Sequence, residues 1–149
     1  MHLPELHAAD AGWIVTRNAG PGYRTEIDTG THALTADEPV SVGGTDAGPT
    51  PYDLLLASVG ACTAMTVRMY ARRKQWPLDG VEVAIRTARS HAADCAECAD
   101  RGPLAPLRLE RRVSFQGVLT DEQRERLLSI ADRCPVKQML GRGAEIVAG

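Results

Sequence analysis

The chain has 149 residues, the length of one ordinary domain, and no shift in composition divides it, so residues 1–149 read as a single domain. Hydrophobic residues make up 44% of it and aromatics 4%, which excludes a disordered chain and asks for a largely aliphatic core. A formal net charge of −2 gives no electrostatic ground for a nucleic-acid or anionic-membrane partner, and the short basic runs Arg72-Arg73-Lys74 and Arg108 to Arg112 read as solvated faces.

Met1 to Gly20 carries acids and histidines where an export signal would carry a basic start and an apolar run. No apolar stretch approaches the roughly 20 residues that a spanning helix needs. The expected compartment is a reducing cytoplasm, where structural disulfides are rare, so four cysteines call for metal, redox or core explanations.

Trp13 to Thr16 reads as a strand, Asn18 to Gly22 as a turn and Tyr23 to Ile27 as a second strand. Asp28-Thr29-Gly30 turns the chain into a segment from Thr31 to Leu34, completing an antiparallel meander, and Gly43 to Gly48 reads as a flexible connector with little to pack. Thr50-Pro51-Tyr52-Asp53 is a helix start, with a hydroxyl at the N-cap, proline at the first position and an acid in the first turn. The helix that follows is apolar on most of its circumference and is expected to be buried at the centre of the fold or of a dimer, ending near Lys74 ahead of Pro77. Val81 to Arg86 alternates as a half-buried strand does, Ser90 to Pro106 reads as an exposed connection, and Leu107 to Phe115 as another strand. Thr120 to Gln123 is a capping box in front of the amphipathic Leu127, Leu128, Ile130 and Ala131. Pro135 opens a short new helix, and Glu145 to Val147 reads as a closing strand. Strands, helix, strands, helix and strand in that order predict an α+β class.

The four cysteines sit in three settings. Cys62 lies inside the apolar helix, where a thiol often serves as a small hydrophobe. Gly60, two residues earlier, is costly in a helix and points to a close contact or an access route there. Cys134 becomes an N-cap if Pro135 starts a helix, a place where free N–H groups favour a thiolate, and Arg133 and Lys137 add nearby positive charge; the alternative is a core cysteine closing a helix. Cys95 and Cys98 form a lone C-x-x-C preceded by His91 and Asp94, which together supply the four ligands zinc wants, form a redox-labile surface pair, or decorate an ordinary loop.

Gly48-Pro49-Thr50-Pro51-Tyr52-Asp53-Leu54-Leu55-Leu56-Ala57, leading to Gly60-Ala61-Cys62-Thr63, resembles the first-cysteine helix of the OsmC/Ohr proteins. Asp132-Arg133-Cys134-Pro135-Val136 resembles their second-cysteine motif, and the separation of 72 positions (134 minus 62) suits that family. The resemblance runs from about Tyr23 to the C-terminus, and Ala64 to Ala71 is similar to an OsmC-like branch.

The resemblance implies an α+β OsmC-like fold, with antiparallel sheets packed around a long central helix, in an intertwined homodimer with active sites at the subunit interface. It implies a thiol peroxidase for organic hydroperoxides that needs no cofactor or metal. Cys62 attacks the peroxide and becomes a sulfenic acid, Cys134 condenses with it to a disulfide, and an external dithiol restores both. The chain departs from the peroxidase pattern at Tyr52, where those enzymes carry glutamate, and Asp53, one residue on, faces about 100° away. Arg24, with Arg17 as a second candidate, is expected to stand for the activating arginine, and Asp53 for the orienting acid. A buried thiol without a nearby cation reacts slowly, so the expected activity is modest. Two other readings are carried forward: a non-catalytic or sensory dimer binding a small apolar or electrophilic ligand near Cys62, and a zinc-binding accessory protein using Cys95 and Cys98.

Overall fold

The computed structural model describes residues 12–98, 100 and 102–147. The expectation placed on Met1 to Gly20 therefore lies largely outside the described residues. The chain divides into two compact units, one made of Met1–Leu54 with Arg89–Leu104, the other of Leu55–Ala88 with Ala105–Gly149. The long helix α1 (Pro51–Lys74) starts in the first and runs through the second. Its start follows the sequence signal: Asp53 Oδ2 accepts from the Thr50 amide at 3.0 Å and from the Thr50 hydroxyl at 2.8 Å, with Pro51 in the first turn.

In the first unit, β1 (Val15–Asn18), β2 (Thr25–Asp28) and β3 (Ala33–Ala36) form an antiparallel meander in which Ile27 lies opposite both Thr16 and Leu34. Each strand begins about two residues later than the hydrophobic pattern suggests. The side chain of Asn18 is the reason at the first turn, donating to the Gly22 and Arg24 carbonyls at 3.0 Å each and holding the loop open to Arg24.

After β3 the connector Gly43 to Gly48 is not a loose tether. The carboxylate of Asp37, only 2% exposed, accepts from the Glu38, Thr45 and Ala47 amides and the Thr45 hydroxyl. The Thr45 hydroxyl and those amides outweigh burial and hold the carboxyl at about 2, below its ordinary 3.8. A Cβ on Gly44 or Gly48 would meet the Glu38 carbonyl oxygen at 1.8 Å or the Thr35 carbonyl oxygen at 2.1 Å. These glycines are there for close backbone approach.

The stretch read as an exposed connection contains a second helix, α2 (His91–Glu97). Ser90 caps it by accepting from the Ala93 amide. It shows no apolar period because polar bonds hold it: Arg89 pairs with Asp94 at 2.7 Å, Tyr52 donates to the same carboxylate, and Glu38 is hydrogen-bonded to His91.

In the second unit, β4 (Gly80–Arg86) and β5 (Glu110–Gln116) pair antiparallel with Val83 opposite Val113. Glu82, Ala84 and Arg86 alternate outward with Arg112 and Ser114, as period-2 patterning requires. Helix α3 (Asp121–Ala131) opens with the expected reciprocal capping box between Thr120 and Gln123. Helix α4 (Pro135–Arg142) follows with Pro135 at its first position. Val67, Ala71, Leu78, Leu127, Ile130 and Ala131 form the core, with Tyr70, Trp76, Val81, Val113, Phe115 and Leu119 packed against it.

Within this chain α1 buries one stripe, Val59, Thr63, Val67 and Ala71 at four-residue spacing, and leaves Met65 at 63% and Met69 at 71% exposed. Two expectations change here. By length and composition α1 is also long and apolar enough to cross a bilayer, contrary to the sequence expectation. Its few charges, Asp53, Arg68 and the basic residues from Arg72 on, lie toward the ends and leave an apolar middle. Glu145 to Val147 forms no strand, and Ile146 is 95% exposed.

Candidate active site

Cys62 is half-buried on α1, next to the enclosed stripe, and Cys134 is fully enclosed at the start of α4. Helix α3 ends at Ala131, and Pro135 cannot extend it because it lacks an amide hydrogen, so the chain turns and leaves Cys134 at the next N-cap. Arg111, the one charged residue on the inward face of β5, fixes this junction by donating to the Ala131 carbonyl at 2.9 Å and to Asp132 at 2.7 Å. Lys137 pairs with the same Asp132 at 2.6 Å. Of the positive charge expected beside Cys134, Lys137 is thus paired with Asp132, and Arg133 is exposed.

Both are free thiols, and each is among the groups that shift the other's proton affinity. Burial pushes the Cys62 thiol up, and its hydrogen bond to Cys134 pushes the same way, against the Val136 amide and the Thr66 hydroxyl. For Cys134 burial also acts upward, but the Cys62 thiol, the Lys137 and Val136 amides and the Thr63 hydroxyl together outweigh it and bring that thiol down. In its protonated form Cys134 directs its S–H toward the Val59 carbonyl at 3.9 Å.

Around Gly60 the expected close contact is absent, since a Cβ there would meet only Ile85 Cδ1, at an ordinary 3.9 Å. Arg24 is exposed and bonded to Glu26 at 2.8 Å, and Asp53 is engaged with Thr50. Tyr52, at the position of the usual glutamate, donates to Asp94, whose carboxylate together with burial holds the phenol above its ordinary range. Cys95 and Cys98 are exposed on α2 and just beyond it. Among the described residues no three His, Cys, Asp or Glu side chains gather as metal ligands, and His91 and Asp94 are already bonded to Glu38 and to Tyr52 and Arg89. Sequence reasoning missed Thr63, Arg111 and Arg89, of which Arg111 alone left a signal, as a charge at an inward position of an alternating strand.

The chain is of the α+β class, and its two motif cysteines, Cys62 and Cys134, 72 positions apart, are both free thiols. A family model described as OsmC-like protein matches residues 44–148, and the chain belongs to that family. No curated protein matches the chain significantly. Among solved structures it is similar to a Psychrobacter arcticus protein named for osmotic stress induction and a detoxification response, with a TM-score of 0.65, 19% identity and coverage of 93% of this chain and 90% of that one. The organic hydroperoxide resistance protein OsmC of Legionella pneumophila aligns with a TM-score of 0.59 at 19% identity over 86% of this chain and 88% of its own. That of Elizabethkingia anophelis aligns with a TM-score of 0.59 at 19% identity, over 91% and 89%. At these identities the likeness is one of fold.

Proposed function

We propose that this protein is a thiol-dependent peroxidase that reduces organic hydroperoxides through Cys62 and Cys134. The observation that carries the reading is a partly accessible thiol on α1 and an enclosed one at the start of α4, both free and each shifting the other's proton affinity. The Cys62 sulfur attacks one peroxide oxygen, the O–O bond breaks, and the alkoxide leaves as the alcohol after taking a proton. Cys134 then attacks the sulfenic sulfur, water is lost, and a disulfide forms before further oxidation. An external dithiol returns both to thiols. The apolar surroundings of Cys62, with Val59 and Leu55 on the same helix, suit an alkyl hydroperoxide better than hydrogen peroxide.

The working form in this reading is a homodimer in the cytoplasm. Ala57, Ala61, Met65 and Met69 make an exposed apolar row at four-residue spacing on α1, which a second copy covers. The half-burial of Cys62, which pushes its thiol up, favours the rival, a dimer that binds a small ligand there without turnover. Arg24 and Asp53 have partners of their own and carry no role in the reading.

Mixing the reduced protein with cumene hydroperoxide and following thiol loss, cumyl alcohol and the peptide disulfide by mass spectrometry tests it. One alcohol per chain with a Cys62–Cys134 disulfide, becoming catalytic with dithiothreitol, is expected. Intact thiols after excess peroxide would leave the ligand-binding reading in its place.

A further inference from the structure

Thr63 follows Cys62 on α1, and its side chain is wholly enclosed. Its hydroxyl is the buried side-chain polar atom that has no hydrogen-bond partner among the described residues. Buried hydroxyls are nearly always paired, so an unpaired one beside a reactive pair asks for a state in which it is used. That state is at hand in Cys134. While Cys134 is a thiol its proton points to the Val59 carbonyl and its sulfur receives no cap hydrogen bond from α4. Once the proton is gone the sulfur becomes an acceptor for Thr63, for the Val136 and Lys137 amides, and for the Cys62 thiol. Donors from α1 and α4 thus converge on one sulfur. The charged side chains around the junction, Arg111, Asp132 and Lys137, are bonded among themselves, and Arg133 is exposed.

We propose that Thr63 is a positioning residue, its hydroxyl held in reserve for a Cys134 thiolate. The catalytic consequence rests on the peroxidase reading. Cys134 takes the proton of Cys62 as the Cys62 sulfur attacks the peroxide oxygen. The O–O bond breaks, the proton passes from Cys134 to the departing alkoxide, and Cys134 is again a thiolate facing a sulfenic acid. It then attacks that sulfur and displaces hydroxide, which takes a proton from solvent and leaves as water. One sulfur acts in turn as base, acid and nucleophile, and no arginine is needed at Cys62.

The test needs no peroxide, which separates its failure from failure of the peroxidase reading. In a protein carrying Cys62→Ser, Cys95→Ser and Cys98→Ser, the ultraviolet absorbance of the thiolate against pH reports Cys134 alone. Adding Thr63→Val is expected to raise the proton affinity of Cys134 about tenfold, the worth of one charge-assisted hydrogen bond, and Thr63→Ser to restore it. The thermal midpoint of the Thr63→Val protein below the titration range is expected to stay level or rise, because an unpaired hydroxyl has been removed. Coincident titrations with and without Thr63→Val, or a Thr63→Ser protein that titrates like Thr63→Val, would overturn the proposal. If Thr63→Val does not fold, Thr63→Ala is read the same way, and loss of fold in both assigns the hydroxyl a structural role and ends the proposal.

Discussion

The protein holds two pairs of cysteines that differ in everything except the element. Cys95 and Cys98 are three positions apart, exposed, and placed by a helix that polar side chains hold to the surface. Cys62 and Cys134 come from distant parts of the chain, and one is shut off from solvent behind Val59 and Thr63. The local spacing that marks a reactive pair in sequence thus produced the plainer of the two environments. What distinguishes the second pair is the set of donors around one sulfur, and long-range folding alone assembles it.

The largest effect should come from deleting the thiols themselves. Cys62→Ser is expected to lower hydroperoxide turnover by about 10³-fold or more, as loss of a nucleophile does, whereas Cys95→Ser with Cys98→Ser should stay within about twofold of the parent. Steady-state kinetics with a dithiol reductant measures both, and a large loss in the double variant would erase the contrast between the pairs.

A packing change should blur the contrast without touching a cysteine. Leu127 is fully buried in the core beside Ile130 and Ala131, at the end of α3 that leads to Cys134. Leu127→Ala is expected to destabilise the protein by about 2–5 kcal/mol in denaturant titration. The alkylation of Cys134 should then quicken with the more frequent opening, while that of Cys95 and Cys98, already exposed, should hold its rate.

The smallest effect concerns the unit that carries the exposed pair. Asp37 has its folded pKa depressed to about 2 from 3.8, so its contribution to stability is complete above 3.8 and is lost as pH falls through about 2. Hydrogen exchange at the Thr45 and Ala47 amides, both bonded to that carboxylate, is expected to lose protection between about pH 4 and 2, relative to the β4–β5 amides. Equal loss in both places would assign the change to global unfolding.

Much of the framework was readable because local chemistry announced it. Thr50-Pro51 started α1, Thr120 with Gln123 started α3, and Pro135 set the junction that makes Cys134 an N-cap. Cys62 and Cys134 stand out by their motifs, and each is among the groups that shift the other's proton affinity. The surroundings of the pair were not readable in the same way. Thr63 looks like one more small residue in an apolar helix until Cys134 is brought beside it from 71 positions away (134 minus 63). Arg111 sat in a run taken for a solvated face, yet its neighbours Glu110 and Arg112 point outward while it turns in toward Ala131. Helix α2 was hidden because Ser90, Arg89 and Tyr52 stabilise it through polar bonds, which hydrophobic periodicity cannot register.

The backbone around Cys62 is also a matter of mechanics. Thr66 donates its hydroxyl to the Cys62 carbonyl at 2.7 Å, a doubled demand on one acceptor that loosens and bends a helix, and Gly60 lies half a turn before the cysteine with no close contact on its α-carbon. Joining the two sulfurs means shortening a hydrogen-bond separation to about 2.05 Å, and a stiff rod would resist that with strain. In the peroxidase reading, a helix that yields at the cysteine would let the pair open and close repeatedly while the stripe of Val67 and Ala71 stays seated in the core.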